Sequence, residues 1–182
     1  MKKLIVITGP SGAGLPDIVS EIFRIDSELE TVIPVTARKM KNGEKNGQSF
    51  WFYDLDGWNA LRECGDLLEA TELAGNDYGT SRKLVQEQLE KGHHVLLYIE
   101  PERAEQVKHN MPEAVCIYTE PADAEVLRDR YAASSRNGYE LNARLELAGE
   151  QRSASGYSDF YVDSADLQNA AERILQIINS LE

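Results

Sequence analysis

Two stretches of this chain carry residue types suited to handling an anion. The first is ITGPSGAGLPDIV, Ile7 to Val19, in which Gly9, Gly12 and Gly14 follow the apolar run LIVI. Closely spaced glycines let successive backbone N–H groups turn inward at the start of a helix, where the helix dipole adds partial positive charge. Gly9 and Gly14 stand at the spacing of G-x-x-x-x-G-K-[ST], yet the next two positions are Leu15 and Pro16. In a complete phosphate loop the lysine charges the outer phosphates and the hydroxyl holds magnesium. Leu15 and Pro16 supply neither. Proline suits the first helical turn, so the turn itself should persist. Asp17 adds a first-turn carboxylate that would compete for the loop amides or repel a phosphate, and it predicts a self-capped helix.

The second stretch is RKMKNGEK, with Arg38, Lys39, Lys41 and Lys45 close together in a chain whose formal net charge is −12. That local density allows an anion site. The overall charge argues against wrapping nucleic acid, because such a surface repels phosphates instead of releasing their counterions.

The elements that must position these stretches read as an alternation. KKLIVIT is a short buried strand, and PDIVSEIFRIDS has apolar residues at helical spacing. TVIPVTARKM reads as extended, and the two Asn-Gly steps in NGEKNGQSFWFYD predict a hairpin. Helices are expected at LDGWNALREC, at SRKLVQEQLEKG with Gly92 as its stop, and at PERAEQVKHN. HHVLLYIE and AVCIYTE are apolar runs that fit central parallel strands. Residues 123–155 read as helix, small polar loop, helix, then DFYVDS as a last strand and LQNAAERILQIINSLE as an amphipathic helix. Strands alternating with helices imply an open parallel sheet covered on both faces, an α/β fold. At 182 residues the length fits one domain. With no long apolar run and no signal-peptide pattern after MKK, a cytoplasmic protein with no membrane contact is expected. Cys64 and Cys116 match no metal or redox spacing and read as two reduced thiols.

GPSGAG, TARKMKNGEKNG, LLEATELAGNDYGTSR and VLLYIE, in this order, resemble the guanylate kinase family over nearly the whole chain. The resemblance implies a P-loop nucleoside monophosphate kinase fold in one domain, 1–182, with a small GMP-binding lobe at about 33–80 and a lid at about 131–143. It also implies transfer of a phosphoryl group from ATP to GMP with magnesium. Carried over by motif, the GMP phosphate ligands fall on Arg38, Lys41, Phe50 and Tyr78, and the base ligands on Pro34, Glu69, Thr80 and Glu100. Phe50 lacks the phenol, Pro34 lacks the hydroxyl, and Lys41 keeps charge without the fork of an arginine. Guanine presents adjacent N1–H and N2–H donors, which one carboxylate can accept on both oxygens, the role implied for Glu69. Arg130 and Arg136 remain from an arginine-rich lid, and Arg144 stands where the family has a catalytic lid arginine.

The loss of the lysine together with Pro34 is also similar to the guanylate-kinase-like domains of membrane-associated scaffold proteins. The expectation is a homologue with a degenerate loop at Gly9, Gly12, Gly14, Leu15 and Pro16, catalytically impaired, without metal or cofactor. Its acceptor pocket would bind GMP, another phosphate-bearing ligand or a phosphorylated protein. The alternatives are a working GMP kinase with an atypical loop and a protein-interaction scaffold.

Overall fold

The computed structural model describes residues 2–135 and 137–181. In chain order the elements are β1 (Leu4–Thr8), α1 (Leu15–Ile25), β2 (Val35–Thr36), β3 (Trp51–Phe52), α2 (Leu55–Glu63), β4 (Leu67–Leu73) and β5 (Asn76–Ser81). They continue as α3 (Arg82–Glu90), β6 (Val95–Tyr98), α4 (Pro101–Asn110), β7 (Val115–Glu120), α5 (Ala124–Ser134), α6 (Gly138–Ala154), β8 (Phe160–Asp163) and α7 (Leu167–Asn179).

Every residue of β1 is buried, as a continuous apolar run in a strand covered on both sides requires. β1 lies inside a four-stranded parallel sheet of order β6-β1-β7-β8. Its alternation divides the core. Ile5 and Ile7 face Ile18 and Ile22 of α1 and Ile174 and Ile178 of α7, while Leu4 and Val6 face Val85 of α3 and Ala104 and Val107 of α4. Each such large aliphatic side chain contributes about 1.5–3 kcal/mol by leaving water. The parallel sheet with helices on both faces is the architecture expected from the alternation of elements.

A second, mixed sheet of order β3-β2-β5-β4 stands beside the first. β4 and β5 form an antiparallel hairpin turning on Ala74 (φ 51°) and Gly75 (φ 73°), a two-residue turn whose positive φ values match strand twist. The sequence predicts no strand there, because Ala-Gly is a weak turn signal. The Asn-Gly steps predict a hairpin instead, and no hairpin forms there: β2 and β3 run parallel, and the chain between them forms local turns. The Glu44 carboxylate accepts from the Lys41 amide at 2.7 Å, and Asn46 Oδ1 accepts from the Phe52 amide at 2.7 Å. Side chains bonding to nearby backbone compete with a strand ladder, and here they prevail.

Candidate functional site

The glycine-rich loop joins the C-terminal end of β1 to α1. A Cβ at Gly9 would lie 2.0 Å from the carbonyl oxygen of Thr119, so only glycine lets β7 pass this close. Gly12 and Gly14 adopt φ of 84° and 85°, and Gly14 is the N-cap of α1. Leu15 and Pro16 follow at its first two helical positions. The self-capped helix expected from Asp17 is not formed: Asp17 is exposed and, among the described residues, accepts no hydrogen bond from the loop. A carboxylate at this position projects outward from the helix start, and water solvates it better than the loop amides do.

The loop floors a cleft of about 520 Å³, walled by Tyr98, Tyr131 and Arg144 among others. Leu15 is half-buried and packs against the core between the sheet, α1 and α7. Arg144 of α6 reaches across the cleft, donating to Ser11 Oγ at 3.1 Å and Ser134 Oγ at 2.7 Å, with its guanidinium 4.2 Å from the Tyr131 ring centroid. Arg130 is engaged differently. It donates to the carbonyls of Gly12 (3.0 Å), Ser164 (2.9 Å) and Ala165 (3.1 Å), so it clasps the loop to the start of α7. Arg136 lies outside the described residues. Among the described residues Arg144 is the cation lining this cleft, and no group of three His, Cys, Asp or Glu converges on a metal position. With proline where a hydroxyl would be needed, these residues do not fit magnesium triphosphate in the way a complete phosphate loop does.

In the smaller sheet Arg38 follows β2. Its side chain is only 8% exposed. Its fork binds both oxygens of Glu44 at 2.6 and 2.7 Å, its Nε donates to the Tyr78 hydroxyl at 3.1 Å, and its guanidinium lies 4.9 Å from the Phe50 ring and 5.2 Å from the Phe52 ring. Phe50, which lacks a phenol, and Phe52 give the guanidinium an aromatic floor. The hydrogen bond from Arg38 holds the Glu44 carboxyl at about 2, far below the ordinary 4.5, and Glu44 in turn raises Arg38. Lys41 is exposed beside this pair, and with Arg38 and Tyr78 it lines a concavity on this face. A neighbouring cavity of about 640 Å³ runs from Phe50 and Tyr78 past Pro34 to Glu100 and Arg103.

Glu69 and Thr80 meet across the hairpin of β4 and β5, where Thr80 Oγ1 donates to Glu69 Oε1 at 2.6 Å. Glu69 is fully enclosed and holds a partner that the sequence does not announce. Arg103 of α4 donates its Nε to Oε2 at 2.6 Å and an Nη to Oε1 at 2.8 Å. Burial pulls the Arg103 guanidinium down, but the hydrogen bond and charge of Glu69 more than offset it and leave Arg103 above its ordinary value. Glu100 stays exposed and touches only the far side of Arg103, at 3.2 Å. One signal could have revealed Arg103: a carboxylate expected inside a pocket demands a cation nearby, and α4 begins with PER.

A nucleotide-type loop at the end of a parallel sheet, a separate small sheet carrying Arg38, Glu69, Tyr78 and Thr80, and a helix pair over the loop form one arrangement. The family model described as Guanylate kinase matches residues 1–181. The chain belongs to the guanylate kinase family. It is 34% identical to the guanylate kinase of Prochlorococcus marinus (strain MIT 9312) over 98% of each chain. It is 35% identical to that of Lactococcus lactis, covering 97% of this chain and 87% of that protein. Among solved structures, a guanylate kinase from Anaplasma phagocytophilum superposes with a TM-score of 0.66 at 26% identity, covering 98% of this chain and 85% of that one. A shikimate kinase from Bacteroides thetaiotaomicron (TM-score 0.51, 13% identity, 97% and 98% covered) shares the fold alone. Among the described residues no helix is long and apolar enough to cross a membrane.

Proposed function

We propose that this guanylate kinase homologue binds a phosphate-bearing ligand at Arg38, Lys41 and Tyr78 and is strongly impaired in phosphoryl transfer from ATP. The observation that carries the reading is the loop: its backbone keeps the anion-binding shape through Gly9, Gly12 and Gly14, while Leu15 and Pro16 put a hydrocarbon surface where charge and a magnesium ligand would act. Phosphoryl transfer depends almost wholly on positioning and charge stabilisation, so a fold stripped of these contacts retains binding more readily than rate. At the acceptor end the residue types for a phosphate survive around one concavity: a phenol, an exposed lysine and a forked cation whose fork now rests on Glu44, a carboxylate that a phosphate would have to displace. GMP, the acceptor of the family, is the first ligand to test, and a phosphorylated side chain of a protein partner fits the same groups.

A working kinase with an atypical loop is the second reading, favoured by one observation. Arg144 already donates to Ser11, so it can place a charge over the loop without a lysine. A steady-state assay with ATP, magnesium and GMP separates the two. Turnover near an ordinary enzyme's value of roughly 10 s⁻¹ establishes the second reading, and turnover lower by a factor of about a thousand or more, with phosphate-ester binding retained, supports the first.

A further inference from the structure

Guanine offers a carboxylate two parallel N–H donors on one edge, and an arginine offers the same pair through Nε–H and one Nη–H. In this chain the carboxylate assigned to the base already receives that pair from Arg103, at 2.6 and 2.8 Å, with Thr80 as a further donor to Oε1. The Glu69 side chain has no exposed surface, so a second fork cannot reach it while Arg103 stays in place. Arg103 also lines both the cavity of about 640 Å³ beside Tyr78 and one of about 560 Å³ beside Thr80, each bordered by Pro34. It therefore stands as a partition where a base would enter.

We infer that Arg103 is an internal substitute for the guanine edge: it occupies Glu69, excludes a guanine base, and leaves a pocket that selects phosphate monoesters without reading the base. This deepens the proposed phosphate-binding reading and rests on it for the identity of the pocket. A guanine ligand must expel Arg103 and leave its half-buried charge without its main partner, whereas a compact phosphate ester meets the exposed Lys41 and the Tyr78 hydroxyl, and competes with the Glu44 carboxylate for the Arg38 fork, without disturbing Glu69. A site whose hydrogen-bonding groups are already paired gains nothing from a ligand's matching donors, which removes the usual source of base discrimination.

The test is calorimetry with GMP and with ribose 5-phosphate on the wild type and on Arg103→Ala. The wild type should bind the two within about threefold of each other, and the variant should bind GMP at least about tenfold more tightly than the wild type does, with ribose 5-phosphate little changed. Adding Glu69→Gln to Arg103→Ala should abolish the gain. A wild type that prefers GMP to ribose 5-phosphate by about tenfold or more, or a variant whose ratio does not move, overturns the inference. If Arg103→Ala does not fold, because Glu69 is left buried without a cation, Arg103→Lys keeps the charge, gives up the fork, and should show the same rise in ratio. Guanosine, which has no phosphate, separates failure of this inference from failure of the phosphate site. It should raise the melting temperature of the Arg103 variant and not of the wild type even if neither phosphate ester binds, and no guanosine effect in the variant overturns the role given to Arg103.

Discussion

Replacing Leu15 by Lys and Pro16 by Ser should return ATP–magnesium binding to the loop without producing an ordinary guanylate kinase. Removing one preorganised electrostatic contact typically costs about 3 kcal/mol in the transition state. With two such contacts absent and acting independently, the wild type should fall short by about 6 kcal/mol, or roughly ten-thousandfold in rate. From an ordinary turnover of roughly 10 s⁻¹ this predicts about 10⁻³ s⁻¹ for the wild type. The fold should tolerate the change. Leu15 is half-buried, so its loss costs about 1 kcal/mol, part of which the lysine stem recovers along the same surface. Pro16 is exposed, and relaxing it to serine costs at most about 1 kcal/mol through the unfolded chain. Calorimetry should show ATP–magnesium affinity rising by about tenfold or more in the double variant. A coupled assay should show turnover still below about 1 s⁻¹, because Arg103 continues to hold Glu69. Wild-type turnover of roughly 10 s⁻¹ would refute the reasoning about the loop, and the same value in the double variant would show that the acceptor half was intact all along.

Glu69→Ala strips the half-buried Arg103 of its main partner, and urea unfolding should show a loss of about 2 kcal/mol; a loss under about 0.5 kcal/mol would mean that Arg103 rehydrates freely. The Glu44 carboxyl is depressed to about 2 in the folded chain from an ordinary 4.5, so its contribution is full above 4.5 and disappears as pH falls toward 2. Melting temperature measured across that window should therefore fall less steeply for Glu44→Gln than for the wild type. Arg130→Ala orphans the carbonyls of Gly12, Ser164 and Ala165 and should cost about 2 kcal/mol of stability with a loosened loop seen by hydrogen exchange, whereas an unchanged loop would show that Arg130 does not hold it. Iodoacetamide at mildly alkaline pH should modify the exposed Cys64 and spare Cys116, whose thiol burial pushes up to about 12; mass spectrometry of the native protein showing rapid double labelling would contradict the buried placement.

The sequence by itself determined what short-range physics dictates. The apolar runs LIVI, VLLYI and AVCIY became β1, β6 and β7 because continuous burial needs continuous hydrophobicity, and PERAEQVKHN became α4 over its full length. The loop glycines and the missing cation were legible for the same reason, since a positive φ at Gly12 and Gly14 and the side chains of Leu15 and Pro16 are properties of their own positions. The Asn-Gly hairpin failed where Glu44 and Asn46 bonded to nearby backbone amides, a competition that turn statistics do not contain. What only the tertiary structure decided was pairing. Arg38 and Tyr78 meet across 40 positions, Arg103 and Glu69 across 34, and Arg144 and Ser11 across 133. A carboxylate announces its need for a donor in its own residue type, but which donor satisfies it, guanine or Arg103, depends on where the packing of α4 against β4 brings a guanidinium.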